Sequence, residues 1–388
     1  MSPTAPTVPA ARTAPSSLGR PLHTGTDTSG ELPVDYRFQA ARNGNRHLLV
    51  VFANFDAPED YGWSNGVLDG VRANVLWIRD RFDGHNSYYL CREGEFSVER
   101  SVAGLIDGFL AALALTRQDC TLLGSSKGAS AALWFGLTYG FRNVLAIAPQ
   151  FAIGSYVRRV HPVTARFMLG EDTDGAAARE LDACLPDLVR EGRNPGANLY
   201  VFSSPADAQY PEQIEPFLLL FHGHENFNFV FTDSPYVPDH TRVAGRNVPV
   251  VLGLVNLLAD GMAPRLGFVR NGHEDPGADR TALHAHLAAT ARPGSWVAPP
   301  VVTSSAVLPG PEGPTARLAG TAPGAVAVQF WERGTRLGTA PVAPDGHWTW
   351  APARAWPADR QVIRAFALTT DGAESERTSV TVSPDAVA

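Results

Sequence analysis

The chain has 388 residues, 44% of them apolar, which is material for more than one hydrophobic core at roughly 150 residues per domain. Its 32 basic and 39 acidic side chains leave a net charge of −7 and form no basic block, which excludes general nucleic-acid binding through phosphate neutralisation. No apolar run reaches the roughly 18 residues of a membrane-spanning helix.

Cys91, Cys120 and Cys184 are widely spaced and odd in number, so neither a disulfide framework nor a Cys-x-x-Cys zinc spacing is expected. Residues 1–30 are rich in Pro, Ala, Thr and Ser and contain no apolar segment of the kind a secretory leader carries. They read as a disordered tail, and a cytoplasmic location follows as the expectation.

The first expected element, Asp35–Arg42, alternates weakly and reads as an edge strand. His47–Phe55 is a continuous apolar run of strand length, as a strand buried on both faces requires. Val75–Arg79 is another. Ser101–Arg117 has helical periodicity with a serine cap, Cys120–Leu123 reads as a strand, and Ala129–Tyr139 as a helix. Val144–Ala148, Asn198–Ser203 and Phe227–Thr232 are further strands, and Val248–Leu258 is a closing helix. Strands alternating with helices indicate an α/β domain with a mostly parallel sheet over residues 31–290. The polar segment at about 152–197 reads as a cap insertion. A Pro-rich linker is expected at 291–302, followed at 303–388 by short alternating strands of a small all-β sandwich.

The sharpest motif is Gly124-Ser125-Ser126-Lys127-Gly128, set between a strand and a helix. A nucleophile elbow needs a serine at this tight turn, with flanking glycines that let the chain pass. Ser126 is the predicted nucleophile, and the spacing selects it over Ser125. The Lys127 backbone N–H at the helix N-terminus would face a developing oxyanion. The other oxyanion donor is expected from the loop after HLLVVFANFD, at the Phe55 N–H with the Asn54 side chain as helper. A serine needs a base and an acid, and both follow in order. Asp207 lies past the strand NLYVFS, and His240 lies in the loop after FNFVFT. His240 would take the serine proton, and Asp207 would hold the imidazole.

Rival groups are weaker. His222 and His224 precede the last strand, at the far end of the sheet. His273 is a reserve base and Asp233 a reserve acid. Asp239 adjoins His240 too closely to orient it, and His284 and His286 diverge on a helix, so they make a poor metal pair. No metal or nucleotide fingerprint occurs, so no cofactor or metal is expected. Lys127 is the only lysine among the 32 basic side chains. It has two readings: an ammonium that steers an anionic substrate or acyl donor, or a lysine with no part in the chemistry.

With Ser126 in GSSKG, Asp207 in SPADAQY and His240 in PDHTRV, the first 290 residues resemble the α/β-hydrolase superfamily. The stretches GSSKGASAALWFGL and LYVFSSPADAQYPEQIEPFLLLFHGHENFNFVFTDSPYVPDH are similar to capsule-biosynthesis and accessory-secretion members, some of which O-acetylate sugars. The C-terminal stretches GTAPGAVAVQFWERGTRLGTAPVAPDGHWTWAP and VIRAFALTTDGAES resemble bacterial immunoglobulin-like modules, which implies a fold and no chemistry. The resulting expectation is an acyl-Ser126 enzyme, either an esterase or an O-acyltransferase. It would act on a small-molecule or carbohydrate ester, with acyl-CoA as donor if it is a transferase. The rival expectation is a binding or assembly protein that uses a hydrolase fold without catalysis.

Overall fold

The structure is a computed structural model and describes residues 20–55, 61–172, 174–308, 315–332, 334–352 and 361–382. The chain divides into two units, residues 1–276 and 277–388.

In the first unit nine strands form one sheet: β1 (Leu22–Asp27), β2 (Val34–Gln39), β3 (Leu48–Phe52), β4 (Asn74–Ile78), β5 (Cys120–Ser125), β6 (Asn143–Ile147), β7 (Asn198–Ser203), β8 (Asn226–Thr232) and β9 (Phe268–Asn271). Their order is β1-β2-β4-β3-β5-β6-β7-β8-β9. β2 pairs antiparallel with β1 and β4, and every pairing from β4 to β9 is parallel. All the connected parallel strands therefore present their C-terminal ends at one rim, where loops of different origin converge.

The apolar runs explain the layering. Every residue of β3 and β4 is buried. Alternate side chains then serve opposite faces: Leu48, Val50 and Phe52 enter one core, while Leu49 and Val51 enter the other. The first core is closed by α1 (Ser97–Ala112), α2 (Lys127–Tyr139), α3 (Ile153–Val160), α4 (Pro162–Leu169) and α5 (Ala176–Arg190). A short helix, α6 (Tyr210–Gln213), follows β7, and α7 (His240–Ala259) covers the second core through Val243, Val251, Leu254, Val255 and Leu258. Helices α3 to α5 thus occupy the segment where an insertion was expected. Among the described residues no helix is long and apolar enough to cross a membrane.

The second unit begins with α8 (Thr281–Thr290) and continues as two antiparallel sheets. One contains β10 (Val301–Leu308), β11 (Thr315–Thr321) and β14 (His347–Trp350), in that order. The other has the order β13-β12-β15-β16, with β12 (Ala327–Glu332), β13 (Thr335–Pro341), β15 (Gln361–Leu368) and β16 (Thr378–Val382). Their shared core is built on Leu318, Phe330, Trp348, Trp350 and Ile363.

Several boundaries differ from the sequence reading. Residues 22–27, assigned to a disordered tail, form β1, an edge strand held by its ladder with β2 although most of its side chains are exposed. The sequence LHTGTD lacks the apolar alternation that would have marked it. Residues 1–19 lie outside the described residues. β2 is consequently interior and not an edge. Helix α1 starts at Ser97, four positions before the expected cap. Ser101 Oγ instead donates to Ser97 O and accepts the Leu32 N–H. The expected end of the first domain also shifts: residues 277–290, read as part of it, belong with α8 to the second unit, and Val297, within the expected linker, is buried in that unit's core.

Candidate active site

β5 hands the chain to α2 through one residue, Ser126, held at φ +53° and ψ −122°. A non-glycine residue in this region is strained, and such strain clusters at functional turns. The flanking glycines are there for space. A Cβ on Gly124 would lie 2.0 Å from Gly128 O, and one on Gly128 would lie 2.5 Å from Phe52 O. Both distances are far inside van der Waals contact, so the turn closes only with glycine at each place.

Around Ser126 the residues singled out from the sequence converge. His240 Nε2 is 2.9 Å from Ser126 Oγ, and His240 Nδ1 is 2.8 Å from Asp207 Oδ2. Asp207 is 1% exposed, and its Oδ1 accepts the Gln209 N–H at 2.9 Å, so one oxygen is anchored and the other faces the imidazole. His240 is the first residue of α7 and not a loop residue as expected. Asp239 is the helix cap, and its carboxylate accepts the Thr241 N–H. The capped N-terminus fixes the backbone that carries the imidazole.

Gln150 was not singled out from the sequence. It is fully buried after β6, and its Nε2 donates to Ser126 Oγ at 2.9 Å and to Gln209 Oε1 at 2.7 Å. Ser130 Oγ in turn accepts the Gln150 N–H. No local motif marks this residue, because its partners are 24 and 59 positions away. His161, also not weighed, stacks on Phe55 with ring centroids 3.7 Å apart.

The cleft beside Ser126 has a volume of about 280 Å³ and is lined by residues including Asn54, Phe55, Ile147, Tyr156, His161 and His240. A second cleft of about 290 Å³ carries Trp63, Ser64 and Asn65 and shares Asn54, Ser125 and Ala244 with the first. Ser125 faces this second lobe and accepts the Trp63 indole N–H at 3.2 Å, which separates it from the His240 partnership of Ser126.

Ala53, at the end of β3, gives its N–H to Tyr89 Oη. The next two residues, Asn54 and Phe55, line the cleft. The Lys127 N–H is the first amide of α2, one of those that have no carbonyl four residues earlier within the helix. The Lys127 side chain does something the sequence reading did not anticipate. It is 1% exposed and pairs with Asp80 Oδ2 at 2.6 Å, so it is not an ammonium that meets a ligand. Burial pushes its pKa below the usual lysine range, with Asp80 acting in the opposite direction.

The rival groups lie elsewhere. Asp233 pairs with Arg270 at an exposed position. His222 and His224 precede β8 at the rim opposite Ser126, and burial lowers the His224 pKa. His273 follows β9, while His284 and His286 lie on α8 of the second unit. Among the described residues no group of His, Cys, Asp and Glu is arranged to hold a metal ion.

No protein-family model matches this chain, and no curated protein matches it. Solved structures do. The chain is similar to the glycosylation-associated Gap123 complex of Streptococcus agalactiae at 15% identity and a TM-score of 0.51, over 63% of this chain and 47% of that one. With its strand order, the antiparallel β2 and the serine turn between β5 and α2, the fold is α/β-hydrolase-like. It is also similar to the capsule O-acetyltransferase of Neisseria meningitidis serogroup A, at 18% identity and a TM-score of 0.47, over 59% of this chain and 97% of that one. A fluorophosphonate-binding serine hydrolase of Staphylococcus aureus is similar at 12% identity and a TM-score of 0.48, over 61% and 98%. At such identities the likeness concerns the fold alone. In this α/β-hydrolase-like unit, Ser126 follows β5, Asp207 follows β7 and His240 follows β8.

Proposed function

We propose that this protein is a serine-dependent acyl-transfer enzyme, an esterase or an O-acyltransferase, that works through an acyl-Ser126 intermediate. The observation that carries the reading is the unbroken chain from Ser126 Oγ to His240 to the buried Asp207. In this mechanism Ser126 Oγ attacks the acyl carbonyl carbon as its proton passes to His240 Nε2. The carbonyl oxygen becomes an oxyanion that meets the Lys127 and Phe55 backbone N–H groups, with the Asn54 side chain alongside. His240 then protonates the leaving group, an alkoxide from an ester or a thiolate from a thioester, leaving the acyl ester on Ser126. Water or an acceptor hydroxyl next gives its proton to His240 and attacks the ester, and Ser126 recovers its proton. Asp207 holds the imidazole and stabilises its charged form throughout.

The chemistry needs no metal or cofactor. As an O-acyltransferase the enzyme would draw its acyl group from a thioester such as acyl-CoA. The two lobes meeting at Asn54 and Ser125 support a donor on one side and a small-molecule or carbohydrate hydroxyl on the other. For the second unit we propose an immunoglobulin-like module. Its first, second and fifth strands share one sheet, and its third, fourth, sixth and seventh share the other, as in Greek-key sandwiches.

The test is turnover of a short activated ester. Ser126→Ala and His240→Ala should each reduce it to background, and the double variant should be no worse than either, because the residues act as a unit. Losses that multiply would contradict the shared intermediate.

A further inference from the structure

Lys127 is an anomaly in a chain whose other basic side chains are arginines. It lies directly after the proposed nucleophile, its side chain is buried, and it is not among the residues that line either cleft. Its ammonium donates to Asp80 Oδ2 at 2.6 Å and to Asn86 Oδ1 at 3.1 Å, and sits 4.9 Å from the centroid of the Tyr89 ring. A compact ammonium satisfies that space with three donors, whereas a planar guanidinium with five would leave donors unpaired.

The contacts continue beyond Asp80. Its carboxylate accepts the Ser87 hydroxyl at 2.5 Å and the Ser87 N–H at 3.0 and 3.1 Å, and Ser87 Oγ accepts the Tyr89 N–H at 3.1 Å. These bonds close a turn in which Tyr88 and Tyr89 both have positive φ, 56° and 59°. Two consecutive bulky residues rarely adopt this conformation, and a surrounding network must hold them there. The turn delivers the Tyr89 hydroxyl to the end of β3, where it accepts the Ala53 N–H at 2.6 Å and donates to Ile78 O at 2.8 Å. The Tyr89 ring packs edge-on against Phe52.

One buried polar path therefore joins the start of α2 to the end of β3. Those are the two segments that carry the proposed oxyanion donors, Lys127 N–H and Phe55 N–H. We propose that Lys127, Asp80, Ser87 and Tyr89 form a brace that fixes the spacing of these donors, which makes the four side chains positioning residues for the transition state. The inference rests on the acyl-transfer reading for its catalytic consequence. It rests on the hydrogen bonds alone for the mechanical link. A misplacement of about 1 Å at such a site lowers rates by roughly 100-fold, so a brace of this kind acts on kcat.

The experiment uses the full-length protein carrying Tyr89→Phe, which removes one oxygen and keeps the ring. The control is Tyr200→Phe, which removes a part-buried hydroxyl that bonds Pro264 O, away from the site. Relative to that control, Tyr89→Phe should lower kcat by about 10- to 100-fold with KM changed less than about twofold. Inhibition by a trifluoromethyl ketone, which forms a tetrahedral adduct on the serine, should weaken by a similar factor. Amide hydrogen exchange should accelerate at residues 53–55 and also at 127–128, whatever the activity. Acceleration confined to Ala53, or a kcat equal to that of the control, would overturn the brace in an active enzyme. Absence of any adduct on Ser126 in the wild-type protein would instead overturn the catalytic reading itself, and the exchange result keeps the two failures apart.

Discussion

The Nε2 atom of His240 lies 2.9 Å from the Ser126 hydroxyl across 114 positions of sequence. A strand-to-helix turn and a capped helix start make that distance. The glycine-flanked turn raises Ser126 above β5, and the Asp239 cap starts α7 at His240. Neither junction involves the cleft lining alone, so the pair belongs to the fold as much as to the site.

The acid follows from the same geometry. Asp207 is buried against His240, whereas Asp233 pairs with Arg270 at the surface. Asp207→Asn keeps the shape but presents the wrong hydrogen-bonding pattern to the imidazole, and kcat should fall by about 10⁴-fold. Asp233→Asn should change it by less than about threefold, since an exposed ion pair contributes about 1 kcal/mol or less. Steady-state kinetics of the two variants on one ester checks the assignment, and a crippled Asp233→Asn with a mild Asp207→Asn would reverse it.

Acid stability should carry the mark of His47. This imidazole is buried at the entrance to β3, 2.8 Å from Thr121 Oγ1, and burial lowers its pKa to about 4, with Asp119 opposing weakly. Below a pH of roughly 6.5 the unfolded chain takes a proton there that the folded chain refuses. The unfolded state then binds more protons, so stability falls as pH drops from about 6.5 to about 4 and levels off below. The slope is about 1.4 kcal/mol per pH unit and the total on the order of 3 kcal/mol. Urea titrations at pH 7 and 4.5 should show a smaller acid-induced loss for His47→Gln than for the wild type. Equal losses would remove His47 from the account.

How much was legible beforehand depended on where the signal lay. Continuous apolar runs such as Leu48–Phe52 marked the central strands, because burial on both faces leaves no polar position. The elbow glycines were legible because local space dictates them. β1 was not, since its pairing with β2 and not its side chains holds it. Gln150 and the Lys127–Asp80 pair were hidden for a related reason: each is defined by partners from distant segments. A lysine beside a nucleophile has the same sequence appearance whether it faces a ligand or the core.

The two units should separate. The cores of the first unit run from Val34 to Ala259, and the core of the second from Val297 to Val382. A chain ending at Pro276 should therefore fold cooperatively and keep wild-type kcat within about twofold. Thermal unfolding by circular dichroism together with ester turnover checks this, and an insoluble or inactive product would show that the second unit completes the first.

The central claim is an activated serine at position 126. Reaction of the full-length protein with a fluorophosphonate probe, read by intact mass and peptide mapping, tests it most directly. The account predicts one adduct per chain, located on Ser126, absent from Ser126→Ala and strongly slowed in His240→Ala. An unlabelled wild-type protein, or labelling that persists in Ser126→Ala, would contradict it.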